Sequence, residues 1–127
     1  MKIQESAENY LETIHILSLR IKDVRSIDIV NELGFSKPSV SVAMKKLREG
    51  GFLNIDSNGY ITLTEEGQKI ANKMYERHTI ISKCLIALGV DEKIAEEDAC
   101  RVEHIISQET FDKIREYAKD KIKLEDE

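Results

Sequence analysis

Cys100, Glu103 and His104 stand close together in the segment Cys100-Arg101-Val102-Glu103-His104. If that segment is helical, the three side chains fall within an arc of about 100°, because residues three and four apart share a helix face. Glu96, one turn earlier, joins the same stripe, while Ala95, Ala99, Val102, Ile105 and Ile106 form an apolar side opposite. A thiolate, a carboxylate and an imidazole at this spacing can hold a first-row divalent ion. An ordinary amphipathic helix accounts equally well for Glu103 and His104, and less well for Cys100, because an unpaired cysteine tends to be buried. Two other segments offer donors. Asn9 and Glu12 lie about 60° apart on a predicted first helix, opposite its apolar stripe, with Glu8 nearby. His78 sits in an apolar stripe with Met74, Ile81 and Leu85, where a histidine is more often a hydrogen-bonded core residue than a ligand. It becomes a ligand only if the fold turns it toward Cys100, Glu103 and the first helix. His15 reads as a surface residue, and Cys84 as packing or a subunit contact.

A second chemistry occupies Ser36 to Arg48, which carries Lys37, Lys45, Lys46 and Arg48 and no acidic residue. Ser36, Lys37, Pro38, Ser39 and Ser41 bring small hydroxyls and one long cation to the start of a predicted helix, where backbone N–H groups also attract anions. Lys45, Lys46 and Arg48 follow as contacts to phosphate, and Pro38 and Val42 can touch thymine methyl groups. A basic helix face on its own is more often simply solvated. Its place in the order of elements favours DNA.

That order is built from local signals. Tyr10, Ile14, Leu17 and Ile21 recur at helical spacing and predict a helix over 6–22. Ile27, Ile29, Val30 and Leu33 predict a short helix over 26–33, ended by Gly34. Ser36 as cap and Pro38 in the first turn predict a third helix to about Glu49, with Val40, Ala43, Met44 and Leu47 inward. Two short β-prone runs, 52–55 and 60–63, flank Asn58-Gly59 and read as a hairpin with few cations. A helix over 65–88 follows, capped by Thr64, then helices over 91–107 and 109–121 and a charged tail. Helix, short helix, glycine turn, helix and hairpin is the order of a winged helix-turn-helix. The expected architecture is therefore mostly α, with a winged helix-turn-helix over 1–63 and a helical domain over 64–127.

The 127 residues carry 19 Lys and Arg against 24 Asp and Glu, a net charge of −5. Residues 1–63 are balanced, eight against eight, so the whole excess lies in the second half, eleven against sixteen. Acidic groups there suit cations or a partner subunit. No apolar run approaches the roughly 18 residues of a membrane span, and the N-terminus lacks a secretion-signal pattern, so a cytoplasmic protein with no membrane partner is expected. Two cysteines do not suggest a disulfide framework.

At Glu8-Asn9-Tyr10-Leu11-Glu12, Ser36 to Leu47, Arg77-His78, Gly89-Val90-Asp91 and the run Glu97 to His104, the sequence resembles the iron- and manganese-dependent repressors of the diphtheria-toxin-repressor family. The resemblance extends from about Glu8 to Ile114. It implies a homodimeric transcriptional repressor of metal homeostasis that binds double-stranded operator DNA when a divalent metal joins the winged helix to the helical part. The resemblance makes the helical domain over 64–127 the dimerisation and metal-binding domain. By resemblance, Cys100, Glu103 and His104 match primary-site ligands, His78 a further ligand, and Glu12 a carboxylate of the manganese-type members. Glu96 falls where iron-type members place an ancillary histidine. Asn9 replaces the family's methionine or aspartate, so its ligand would be an amide oxygen or a water. Ser82 replaces an ancillary glutamate of iron-type members. The short layout, without the barrel domain of longer iron-type members, and Glu12 point to Mn(II), whereas Cys100 points to Fe(II) or a softer ion.

Two rivals make different demands. A metal-independent winged-helix regulator sensing a small organic ligand needs neither Cys100 nor His104. An enzyme using Cys100 as nucleophile and His104 or His78 as base lacks an orienting third group and an oxyanion site.

Overall fold

The computed structural model describes residues 5–122, and these fall into two compact units that divide inside one helix, between Lys73 and Met74. In the N-terminal unit, α1 (Glu5–Arg20) turns Tyr10, Leu11, Ile14 and Leu17 inward. It ends sooner than its periodicity predicts, and Ile21 is left 38% exposed. Beyond it the chain turns to tertiary pairing: Val24 forms a β-bridge with Ile61, its carbonyl accepting from Ile61 N–H at 2.7 Å, a conformation that a longer helix could not supply.

Helix α2 (Ser26–Leu33) opens with the Asp28 carboxylate accepting from the Arg25 N–H at 2.8 Å. Gly34 closes it at φ +72°, a left-handed conformation that costs a side-chain-bearing residue energy, and its N–H returns to the Val30 carbonyl. Helix α3 (Lys37–Glu49) is capped by Ser36, whose Oγ accepts from Ser39 N–H at 3.2 Å. Its inner face is Val40, Met44 and Leu47, as the spacing predicts. Strands β1 (Leu53–Ile55) and β2 (Ile61–Leu63) pair antiparallel in the register Leu53↔Leu63, Asn54↔Thr62, Ile55↔Ile61. The Asp56 carboxylate ties their turn by accepting from Asn58 N–H at 2.8 Å and Tyr60 N–H at 2.9 Å. Leu11, Ile14, Ile29, Val40, Met44 and Leu53 meet in one core under α1, α2, α3 and the hairpin.

Helix α4 (Glu65–Ala87) begins where Thr64 Oγ1 accepts from Gly67 N–H and donates to the Gly51 carbonyl. Gly67 packs so closely on the Phe52 carbonyl that any Cβ there would overlap it. His15, which the sequence places at the surface, is half-buried, and its Nδ1 lies 3.0 Å from Gln68 Nε2. The helical period located α1 but could not show that α4 would meet it there.

The C-terminal unit holds the rest of α4, α5 (Glu92–Val102) and α6 (Gln108–Lys121), around Ile80, Ile81, Ala99, Phe111 and Ala118. The expected helix over 91–107 is wrong in its last five residues. Helix α5 stops at Val102, residues 103–106 form a turn, and Ser107 caps α6 by accepting from Thr110 N–H at 3.0 Å. Ile105, predicted on the apolar side, is 71% exposed. Among the described residues no helix is long and apolar enough to cross a membrane.

Candidate metal centre and nucleic-acid interface

The early end of α5 changes the geometry read from sequence. Glu103 is the C-cap of α5, still in helical conformation with its N–H on the Ala99 carbonyl, and His104 lies just beyond it. Glu103 is turned inward to 0% exposure, and two imidazoles lie against its carboxylate. His78 Nδ1, from α4, lies 3.1 Å from Glu103 Oε2, and His104 Nε2 lies 3.2 Å from Glu103 Oε1. His78, placed by its neighbours in an apolar stripe, thus faces the Glu103 carboxylate, one part of the arrangement a ligand role requires.

A carboxylate wholly removed from water demands positive charge close by. The response is visible at His78, whose pKa is held above its ordinary 6.5 chiefly by the hydrogen bond to Glu103. The charges of Glu103 and Glu96 add to this, while burial and His104 oppose it. One imidazole on each oxygen of a buried carboxylate supplies donor types that a divalent transition ion takes, so the residue types fit the metal that the sequence implies. Glu96 and Cys100 are exposed on α5; Glu96 acts on His78 through its charge. On α1, Asn9 is half-buried and Glu12 buried.

One residue beside this cluster has no role that the sequence reading assigns. Arg77, preceding His78, is 4% exposed, and its Nη1 donates to the carbonyls of Glu103 and Ile106, both at 2.9 Å. Its Nη2 donates to Gln108 Oε1 at 3.0 Å, and the guanidinium lies 5.3 Å from the centre of the Phe111 ring. A charged residue inside an otherwise apolar helical stripe was the available signal.

The second candidate site is the outer face of α3. Ser36, Lys37, Pro38, Ser39, Ser41, Val42, Lys45, Lys46 and Arg48 are all exposed, as a contact face requires. Ser36 Oγ also donates to Ser39 Oγ at 2.8 Å, so that hydroxyl serves the helix cap as well as the surface. Ser41, Lys45 and Arg48 join Ser26, Met44 and Ile55 around an open depression of about 210 Å³, which places two cations and two hydroxyls at its rim. The hairpin, poor in cations by sequence, gains one from outside itself. Arg25 lies 4.7 Å from the centre of the Tyr60 ring and donates to its hydroxyl at 3.2 Å.

Residues 2–61 match the model of the iron dependent repressor N-terminal DNA binding domain, and residues 64–121 that of the iron dependent repressor metal binding and dimerisation domain. The transcriptional regulator MntR of Salmonella typhimurium is 38% identical over 109 residues, covering 86% of this chain and 69% of that protein. An uncharacterized HTH-type transcriptional regulator of Methanocaldococcus jannaschii, MJ0568, is 33% identical over 125 residues, covering 94% of this chain and 100% of its own length. Among solved structures, the manganese regulator SloR superimposes with a TM-score of 0.78 at 27% identity over 92% of this chain. The chain spans about half of SloR, 54%.

Proposed function

The chain belongs to the iron-dependent repressor family of metal-dependent transcriptional regulators, and we propose that it binds double-stranded operator DNA as a homodimer when loaded with Mn(II) or Fe(II). The observation that carries this reading is the convergence of His78 and His104 on the fully buried Glu103. It lies in the segment that matches the metal binding and dimerisation domain. A divalent ion held there would supply the positive charge that the buried Glu103 carboxylate needs. His78, Glu103 and His104 would hold it, with Cys100 and Glu96 on α5 and Asn9 and Glu12 on α1 as the remaining proposed ligands. The organic-ligand rival gives no reason for two imidazoles on one buried carboxylate.

Ser36, Lys37, Pro38, Ser39, Ser41 and Val42 are proposed to meet base edges and nearby phosphates, and Lys45, Lys46 and Arg48 phosphates alone. For the homodimer, the support is an apolar groove of about 700 Å³ in the C-terminal unit, whose lining includes Ile81, Cys84, Leu85, Leu88, Ile114 and Tyr117. Leu88 is 81% and Tyr117 62% exposed in the isolated chain, and a second copy of this dimerisation segment is the occupant we propose.

Anaerobic fluorescence anisotropy on DNA from upstream of the protein's own gene tests the reading. Binding should be weak under chelator and tighten when Mn(II) or Fe(II) is added. Equally tight binding under chelator would leave the winged helix a DNA binder and remove the metal switch.

A further inference from the structure

Glu103 is gripped at both ends by successive residues of α4. His78 takes its carboxylate, and Arg77 takes its backbone carbonyl. The turn after α5 directs the carbonyls of Glu103 and Ile106 to the Arg77 guanidinium in the protein interior, where an unpaired carbonyl would be costly. Arg77 meets that need with one buried guanidinium: Nη1 bridges the carbonyls of Glu103 and Ile106, Nη2 holds Gln108 at the start of α6, and Phe111 covers its face. The whole turn between α5 and α6, which carries Glu103 and His104, is thereby tied to the helix that carries His78.

We propose that Arg77 is a positioning residue of the metal centre, an inference that rests on the metal reading above. A guanidinium has no lone pair to offer a cation, so Arg77 acts only through the geometry it imposes on the turn. Lysine cannot replace it, because a single ammonium lacks the planar fork that reaches two carbonyls and an amide at once. Gln108 is the second handle, since its amide fixes the other arm of the fork.

The test uses the full chain with Arg77→Lys, Gln108→Ala and Glu103→Ala, each checked for folding by circular dichroism in chelator. Mn(II) affinity is read by electron paramagnetic resonance of the free ion, and ligand geometry by the visible bands of Co(II). Arg77→Lys should weaken Mn(II) binding by about 10-fold or more and alter the Co(II) bands. Gln108→Ala should give a smaller loss in the same direction, and it decides the matter if Arg77→Lys does not fold. A purely structural role would lower the melting temperature in chelator and leave the Co(II) bands of the folded protein unchanged. Unchanged bands with Mn(II) affinity within about twofold of the parent, in a folded Arg77→Lys or otherwise in Gln108→Ala, would overturn Arg77's role alone. A parent chain that takes up no metal, or a Glu103→Ala chain that binds as tightly as the parent, would overturn the centre itself and this inference with it.

Discussion

On α3 the proposed DNA-contacting side chains stand in solvent, on a helix fixed from beneath by Val40, Met44 and Leu47. In the C-terminal unit the chemistry is inside: Glu103 is 0% exposed, with His78 from α4 and His104 from the turn after α5 against its carboxylate. An exposed face works by summing separate charges in high dielectric, so each loss is partial and salt screens it. A buried cluster works as a unit. Removing one member leaves the others desolvated and mismatched, so losses there should be large and far from additive.

The sharpest test of that contrast is Glu103→Ala, which should lower Mn(II) affinity on the order of 100-fold or more, about 2.7 kcal/mol. Isothermal titration would show it, and the metal response of DNA binding should vanish with it. A loss of only a few-fold would mean the buried cluster behaves like the open face. The matching change on α3, Lys45→Ala with Lys46→Ala, should weaken DNA binding at every sequence tested. It should also reduce the salt slope by about 2, one for each phosphate left without its lysine. An unchanged slope in an anisotropy salt titration would mean that neither lysine meets a phosphate.

Solution pH should separate the two regions further. Because Glu103 raises the His78 pKa above 6.5, the protonated pair stabilises the metal-free C-terminal unit fully below that value. That contribution is lost as pH rises through the folded-state pKa. Metal binding needs the neutral imidazole and should strengthen over the same window. Melting in chelator across that range should show the loss in the parent and not in His78→Gln; matching profiles would dismiss the pair. The smallest effect belongs to Ser36→Ala, which removes the cap of α3 and should cost about 1 kcal/mol in chemical denaturation, with metal affinity unchanged.

Much of the N-terminal unit was legible because its signals are local. Gly34, Ser36 with Pro38, and Asn58-Gly59 each mark a boundary through the backbone conformation they favour, and α2, α3 and the hairpin lie where those residues place them. The exposed face of α3 follows from the same periodicity that buries Val40, Met44 and Leu47. The C-terminal site was legible in its residue types but not in its arrangement. Periodicity carried α5 on to Ser107, because the sequence from Asp91 to Ser107 contains neither glycine nor proline to stop a helix.

What ends α5 and aims its last residues lies elsewhere in the chain: the Arg77 guanidinium on the turn's carbonyls, and the start of α6 at Ser107. His78 likewise was a ligand or a core residue according to what it faced. By itself the sequence determined which groups were available and the order of helices and strands, since propensity, capping and turn chemistry act over a few residues. Tertiary structure alone decided that His78 and His104 meet on Glu103, that Arg77 holds the turn and that Arg25 rests on Tyr60. These meetings depend on how helices and turns pack in space, which no local period encodes.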